Sequence, residues 1–143
     1  MNPLHLLVPP MLLIALTLTV VVLLALKKRK VARQGLLPKG FFKLNTGADM
    51  PDELAQLSNN YDNLVASPIL FYVLIGFVFV AQIFHPVILV LAWVYVLSRY
   101  AHSYVHITSN KVKWRYRTFL WSFTTLGCMW AFVFIHLVQR LIA

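Results

Sequence analysis

The strongest constraint on this chain is a set of four apolar stretches of membrane length, running from about Leu4 to Leu26, Leu64 to Phe84, Val87 to His106 and Phe119 to Val138. Each is close to the ~20 residues a helix needs to cross ~30 Å of hydrocarbon. In lipid an unpaired backbone group finds no water, so each stretch is expected to be a helix. The expected fold class is an all-α integral membrane protein, a four-transmembrane-helix bundle. Its 143 residues suit one four-span domain, 1–143. Apolar residues make up 60% and charged residues 12% of the chain. Soluble domains run at about half apolar and about a quarter charged, so the composition excludes that class.

The formal net charge of +9 does not argue for nucleic acid, because the bases border apolar spans. Lys27, Lys28, Arg29, Lys30, Arg33, Lys39 and Lys43 separate the first two spans. Lys111, Lys113, Arg115 and Arg117 separate the last two. The other side has only the His85-Pro86 connector, the two termini and Arg140. The excess of bases predicts that both basic loops are cytoplasmic and both termini are not, a parity that needs four spans. The first span has no base before it and no small-residue cleavage site, so it reads as a retained helix. The first cytoplasmic loop, about 27–62, carries Gly35, Pro38, Gly40, Gly47 and Pro51 and is expected to be partly irregular. At its end PDELAQLSNN reads as a helical lead-in, with Pro51 near the first turn. Trp114 and Trp121 suit the cytoplasmic interface. The single cysteine, Cys128, excludes an internal disulfide and a multi-cysteine metal site, and reads as a small buried apolar residue.

Arg99 interrupts the third stretch. A charge near the bilayer centre costs roughly 2.5–3.5 kcal/mol, and such residues usually face a protein interior and carry function. Parity places Arg99 toward the cytoplasmic half, where the cost is lower. His102, Ser103, His106 and Asn110 follow at i+3, i+4, i+7 and i+11, which is one helix face. Asn59, Asp62 and Asn63 begin the preceding span. Two readings stay open. Arg99 pairs with Asp62 and holds spans 2 and 3 together, or the bases at this rim receive an anionic guest, for which an arginine fork is suited. His102 and His106 at i, i+4 have no third ligand nearby and no HExxH pattern, so no metal is expected. His5, His85 and His136 read as interfacial. Arg115 is either a helix anchor or a base that favours the charged form of a nearby sulfur or oxygen.

Two segments carry a family resemblance. NNYDNLVASPILFY resembles the start of the second span in the MAPEG family, the membrane-associated proteins of eicosanoid and glutathione metabolism, and RYAHSYVHITSNKVKWRYRTF resembles its third span and following loop. The family pattern there is Arg-x-x-His-x-x-x-Tyr, then an arginine nine residues later and, in the prostaglandin E synthase type, a tyrosine four further on. Arg99, His102 and Arg115 match in register; His106 and Phe119 replace the two tyrosines. The acidic motif Asn-x-x-Glu of the family's second span aligns either with Asn59-x-x-Asp62 or with Asn63-x-x-Ala66. The chain looks most like the bacterial branch of the family.

The resemblance implies a homotrimer, with glutathione bound between subunits near the cytoplasmic side. Carried over residue by residue, it gives Arg115 as the thiolate-stabilising base. It places Arg99, His102 and His106 along the glutathione site, Asn59, Asp62 and Asn63 at the ligand's polar ends, and Arg29 as a contact from span 1. The expected partners are membrane lipid and a lipophilic small molecule, in a bacterial inner membrane, with no nucleic acid. The first function implied is a glutathione-dependent transferase or peroxidase acting on lipophilic electrophiles. A second class is a non-enzymatic lipid-binding or accessory protein that keeps the fold, to which Ala66, His106 and Phe119 point. A third, a proton-coupled exporter, needs a membrane-embedded acid, and spans 1, 3 and 4 contain none.

Overall fold

The computed structural model describes residues 2–37, 41 and 50–142; of the first loop expected at about 27–62, only 38–40 and 42–49 lie outside them. Pro3–Leu7 form a 3₁₀ turn that leads into α1, Val8–Arg33. The start is specified locally. Asn2 Oδ1 accepts a hydrogen bond from the Leu4 N–H at 3.0 Å. Pro9 and Pro10 occupy the first turn of α1, where the missing N–H groups would have no intrahelical partner. Then follow α2, Asp52–Ala66, and α3, Ile69–Val80. The bundle is completed by α4, Pro86–Ile107, and α5, Val112–Ile142.

Among the described residues four helical units are long and apolar enough to cross a membrane: Pro3–Arg33, Asp52–Val80, Pro86–Ile107 and Val112–Ile142. Several helices run beyond the apolar stretches. α1 continues past Leu26 to Arg33, and α5 begins at Val112, ahead of Phe119. Lysine and arginine are good helix formers, so a helix does not stop where its apolar face does.

The second unit is two helices rather than one. Pro68 has no N–H to donate to the carbonyl one turn back, and its ring opposes that carbonyl, which divides α2 from α3. The chain restarts on Pro68 itself: its carbonyl accepts from the Phe71 and Tyr72 N–H groups, each at 3.0 Å. At the other end of α3, Gln82 takes a positive φ of 52°. Arg140 of α5 donates to the Ala81 carbonyl at 2.6 Å and the Gln82 carbonyl at 3.2 Å, tying down the turn to α4. His85 Nδ1 accepts from the Val87 N–H at 3.2 Å and caps α4. Its ring packs with those of His136 and Phe132, so the two histidines sit together at one end of the bundle.

Each helix buries a narrow face. In α1 the buried aliphatic positions are Leu13, Val20, Leu24 and Val31, and most other side chains are exposed. Cys128 is exposed on α5, not buried, because the buried face of that helix is carried by Ser122, Thr125, Leu126, Met129 and Val133. In α4 one stripe changes character along its length. Ile88, Ala92, Tyr95 and Val96 are its apolar half, packed on α3 through Phe71, whose ring lies 4.6 Å from that of Tyr95. Arg99, His102, Ser103 and His106 are its polar half. The fold thus builds a dry core at one end and a polar seam at the other.

Candidate polar site between α2, α4 and α5

Three carboxamides of α2 meet the polar half of α4. Gln56 donates from its side chain to the His106 carbonyl. Asn60 Nδ2 donates to Ser103 Oγ at 2.8 Å, with both residues fully buried. Asn63 receives Arg99, whose Nη2 donates to the Asn63 carbonyl at 3.0 Å and to Asn63 Oδ1 at 2.8 Å. The spacings i, i+4, i+7 on α2 run against i, i−3, i−7 on α4, so the seam is an antiparallel ladder. Interhelical hydrogen bonds in membranes average about 0.6 kcal/mol and reach about 1.7. Asn60→Ala should therefore lower stability by about 1 kcal/mol, read as a reduced unfolding midpoint in detergent.

The Arg99 contact answers one of the two readings. Its partner is Asn63; Asp62, one position before it, is exposed. The Asn63 carbonyl also accepts from the Ser67 N–H at 3.4 Å and from Ser67 Oγ at 2.9 Å, so it gathers donors. Arg99 is completely buried, and its Nε and Nη1 have no hydrogen-bond partner among the described residues. Asn60 Oδ1, His102 Nε2 and His106 Nδ1 are likewise buried and unpaired.

From the α5 side, His102 Nδ1 donates to the Arg115 carbonyl at 3.0 Å. A ring nitrogen facing a carbonyl carries the proton, which leaves Nε2 with the lone pair. Thr118 supports this corner: its hydroxyl lies 3.3 Å from His102 Nδ1 and donates to the Trp114 and Arg115 carbonyls, each at 3.0 Å. The Arg115 guanidinium is held by Asn110, whose Oδ1 accepts from Nη1 at 2.7 Å. Asn110 lies beyond the end of α4 with φ 46°, a left-handed conformation that asparagine tolerates. It therefore leaves the helical stripe and serves α5.

These groups surround an open cavity of about 340 Å³, lined by Asn59, Asn63, His102, His106, Arg115 and Phe119 together with Val112 and Tyr116. Five sequence candidates, Asn59, Asn63, His102, His106 and Arg115, share it. Arg99 lies beneath, bonded to Asn63. Asp62 and Arg29 are exposed and line none of it. Gln56, Asn60 and Thr118 were not singled out from the sequence. The i, i+4, i+7 spacing of Gln56, Asn60 and Asn63 is the signal that finds the first two. Among the described residues no three His, Cys, Asp or Glu side chains come together as metal ligands.

Residues 7–135 match the model of the MAPEG family. The chain belongs to the MAPEG family. Membership and the four spans together make it an integral, multi-pass membrane protein. Comparison with curated proteins and with solved structures finds no match. In this MAPEG protein the cavity is therefore described from its own residues. One wall is basic through Arg115, one is carboxamide through Asn59 and Asn63, and one is aromatic through Tyr116 and Phe119.

Proposed function

We propose that this MAPEG protein binds glutathione in the cavity at Arg115 and joins it, through its sulfur, to a lipophilic electrophile. The observation that carries the reading is the Arg115 guanidinium, fixed by Asn110 at the edge of a polar cavity that opens beside an apolar bundle. A free thiol ionises near pH 8.5, and an adjacent cation stabilises the thiolate. The thiolate attacks the electrophilic carbon, a sulfur–carbon bond forms, and the leaving group departs with the bonding pair. The thiol proton is released, so glutathione and the electrophile give the thioether and the protonated leaving group. With a hydroperoxide as the electrophile, two glutathiones give disulfide, alcohol and water.

Asn59 and Asn63 offer carboxamides for the ligand's peptide and carboxylate groups, and Arg99 stands behind Asn63 to polarise it. His102 and His106 complete the polar wall. Asp62 and Arg29 fit this reading through a homotrimer. Each is exposed on its helix, which supports a contact to a ligand shared with a neighbouring subunit. The lipophilic partner reaches the site from the membrane, into which it partitions. The basic loops are assigned to the cytoplasm and the termini to the opposite side of a bacterial inner membrane.

One observation favours a second reading. Phe119 lines the cavity and supplies no hydroxyl to the sulfur, as expected of a lipid-binding or accessory protein that keeps the fold without the chemistry. Detergent-purified protein incubated with glutathione and a chromogenic aryl halide separates the two. The transferase reading expects a thioether that forms only with both reactants, and a rise in unfolding midpoint with millimolar glutathione. Neither product nor stabilisation would leave the accessory reading standing.

A further inference from the structure

A second cavity, larger than the first at about 510 Å³, opens between α1, α2 and the end of α4. None of its lining residues lines the first cavity. Its walls are apolar, from Leu23, Leu26, Leu57 and Ile107. Its mouth is charged: Lys27 pairs with Glu53, and Lys30 beside them has no ion-pair partner among the described residues. Asp52 adjoins the same three groups in a neighbouring hollow, and Arg29 and Arg33 are exposed on the same helix, so bases outnumber acids at this end of α1. A further hollow of about 340 Å³, lined by Leu18, Thr19, Val22 and Leu23, shares Leu23 with it. Thr19, Leu23, Leu26, Lys27 and Lys30 fall on one face of α1, so the two hollows form one groove. From Leu18 to Lys30 it runs about 18 Å at 1.5 Å per residue. That is close to the ~15 Å of hydrocarbon in one leaflet.

We propose that this groove binds one anionic membrane phospholipid, with its phosphodiester at Lys30 and Lys27 and an acyl chain along Leu23, Val22 and Leu18. The groove changes from basic to apolar along one helix face, in the order headgroup then chain. A soluble anion has no use for the exposed Leu23 and Leu26 beside the charges. A zwitterionic lipid leaves the surplus of bases at this end of α1 unmatched. Gln56 lines this cavity and donates to the His106 carbonyl in the wall of the other, so an occupied groove braces the glutathione-site wall. The inference stands apart from the glutathione reading, because lipid retention is measured with no thiol present.

The test is native mass spectrometry of the full chain, released from nanodiscs holding equal phosphatidylglycerol and phosphatidylcholine. The expected result is preferential retention of phosphatidylglycerol. Each lysine near an anionic headgroup is worth about 1 kcal/mol, which is about fivefold in retention. Lys30→Gln should lose about that factor, and Lys27→Gln/Lys30→Gln more. Lys111→Gln/Lys113→Gln, with the same loss of charge elsewhere, should retain lipid as the parent does. Leu23→Trp, which fills the groove and spares the charges, should also lower retention. Equal retention of the two lipids, or no loss in the Lys30 variants, overturns the proposal. Displacement of phosphatidylglycerol by millimolar inorganic phosphate assigns the site to a soluble anion. Disulfide crosslinking of Leu26→Cys between two copies, in a Cys128→Ser background, assigns the groove to a second chain. Either result also overturns it.

Discussion

Replacing Arg115 by alanine should lower glutathione-dependent turnover by about a hundredfold or more, the usual cost of removing one preorganised charge stabiliser. The unfolding midpoint should hardly change, because the guanidinium is half-exposed and its one side-chain partner is Asn110. The pH profile should move as well. With the cation present the bound thiol ionises below its ordinary value near 8.5, so the rate holds down to neutral pH and falls as the thiolate is protonated. Without it the fall should begin near 8.5, so that part of the lost rate returns as pH rises toward and above that value. Arg115→Lys should keep the charge but not the geometry, and lie between the two. A variant with full turnover and an unshifted profile would remove Arg115 from the chemistry.

The largest effect on stability is expected one layer deeper. Asn63→Leu removes the side-chain oxygen that receives Arg99 and leaves a completely buried guanidinium with only the Asn63 carbonyl. Hydrogen bonds to charged groups contribute about 1.5–3 kcal/mol, and a loss in that range is expected in unfolding measurements in detergent. Asp62→Asn, in contrast, should change stability by less than about 0.5 kcal/mol, as for other surface positions. The two variants together decide which residue of α2 holds Arg99. Destabilisation by Asp62→Asn with a silent Asn63→Leu would mean that the ion pair, not the carboxamide, locks the helices.

The contrast between Asn63 and Asp62 marks where the sequence stops informing. Both lie within one turn of α2, and charge alone favours the acid. Adjacent positions on a helix are rotated by about 100°, so their roles depend on how α2 turns toward α4. That rotation is set by the Pro68 break and by the ladder of Gln56 and Asn60, which only packing reveals. The same limit explains Cys128, whose apolar run has no polar face to tell the buried side from the exposed one. The stripe Arg99, His102, Ser103 and His106 was legible because polar residues at i, i+3, i+4 and i+7 in an apolar helix can only share a face. Its continuation to Asn110 was not, because α4 ends at Ile107 and the chain turns there. Asn59 and Arg115 join the cavity from different helices, and their register with His102 came from the family pattern rather than from periodicity. Arg29 came from that pattern as well, whereas Asp62 stood out as the acid at the start of span 2. Within one chain they lie apart from the cavity, so their part in the site belongs to the trimer reading.

In the proposed mechanism the cavity holds glutathione as a thiolate beside Arg115. Its most direct test is an ultraviolet titration of the purified protein with glutathione at neutral pH, recording thiolate absorbance and proton release together. A saturable thiolate signal is expected, with one proton released per ligand bound, and that signal should be lost in Arg115→Ala. Glutathione bound as the neutral thiol, or a thiolate signal that survives Arg115→Ala, would contradict that mechanism.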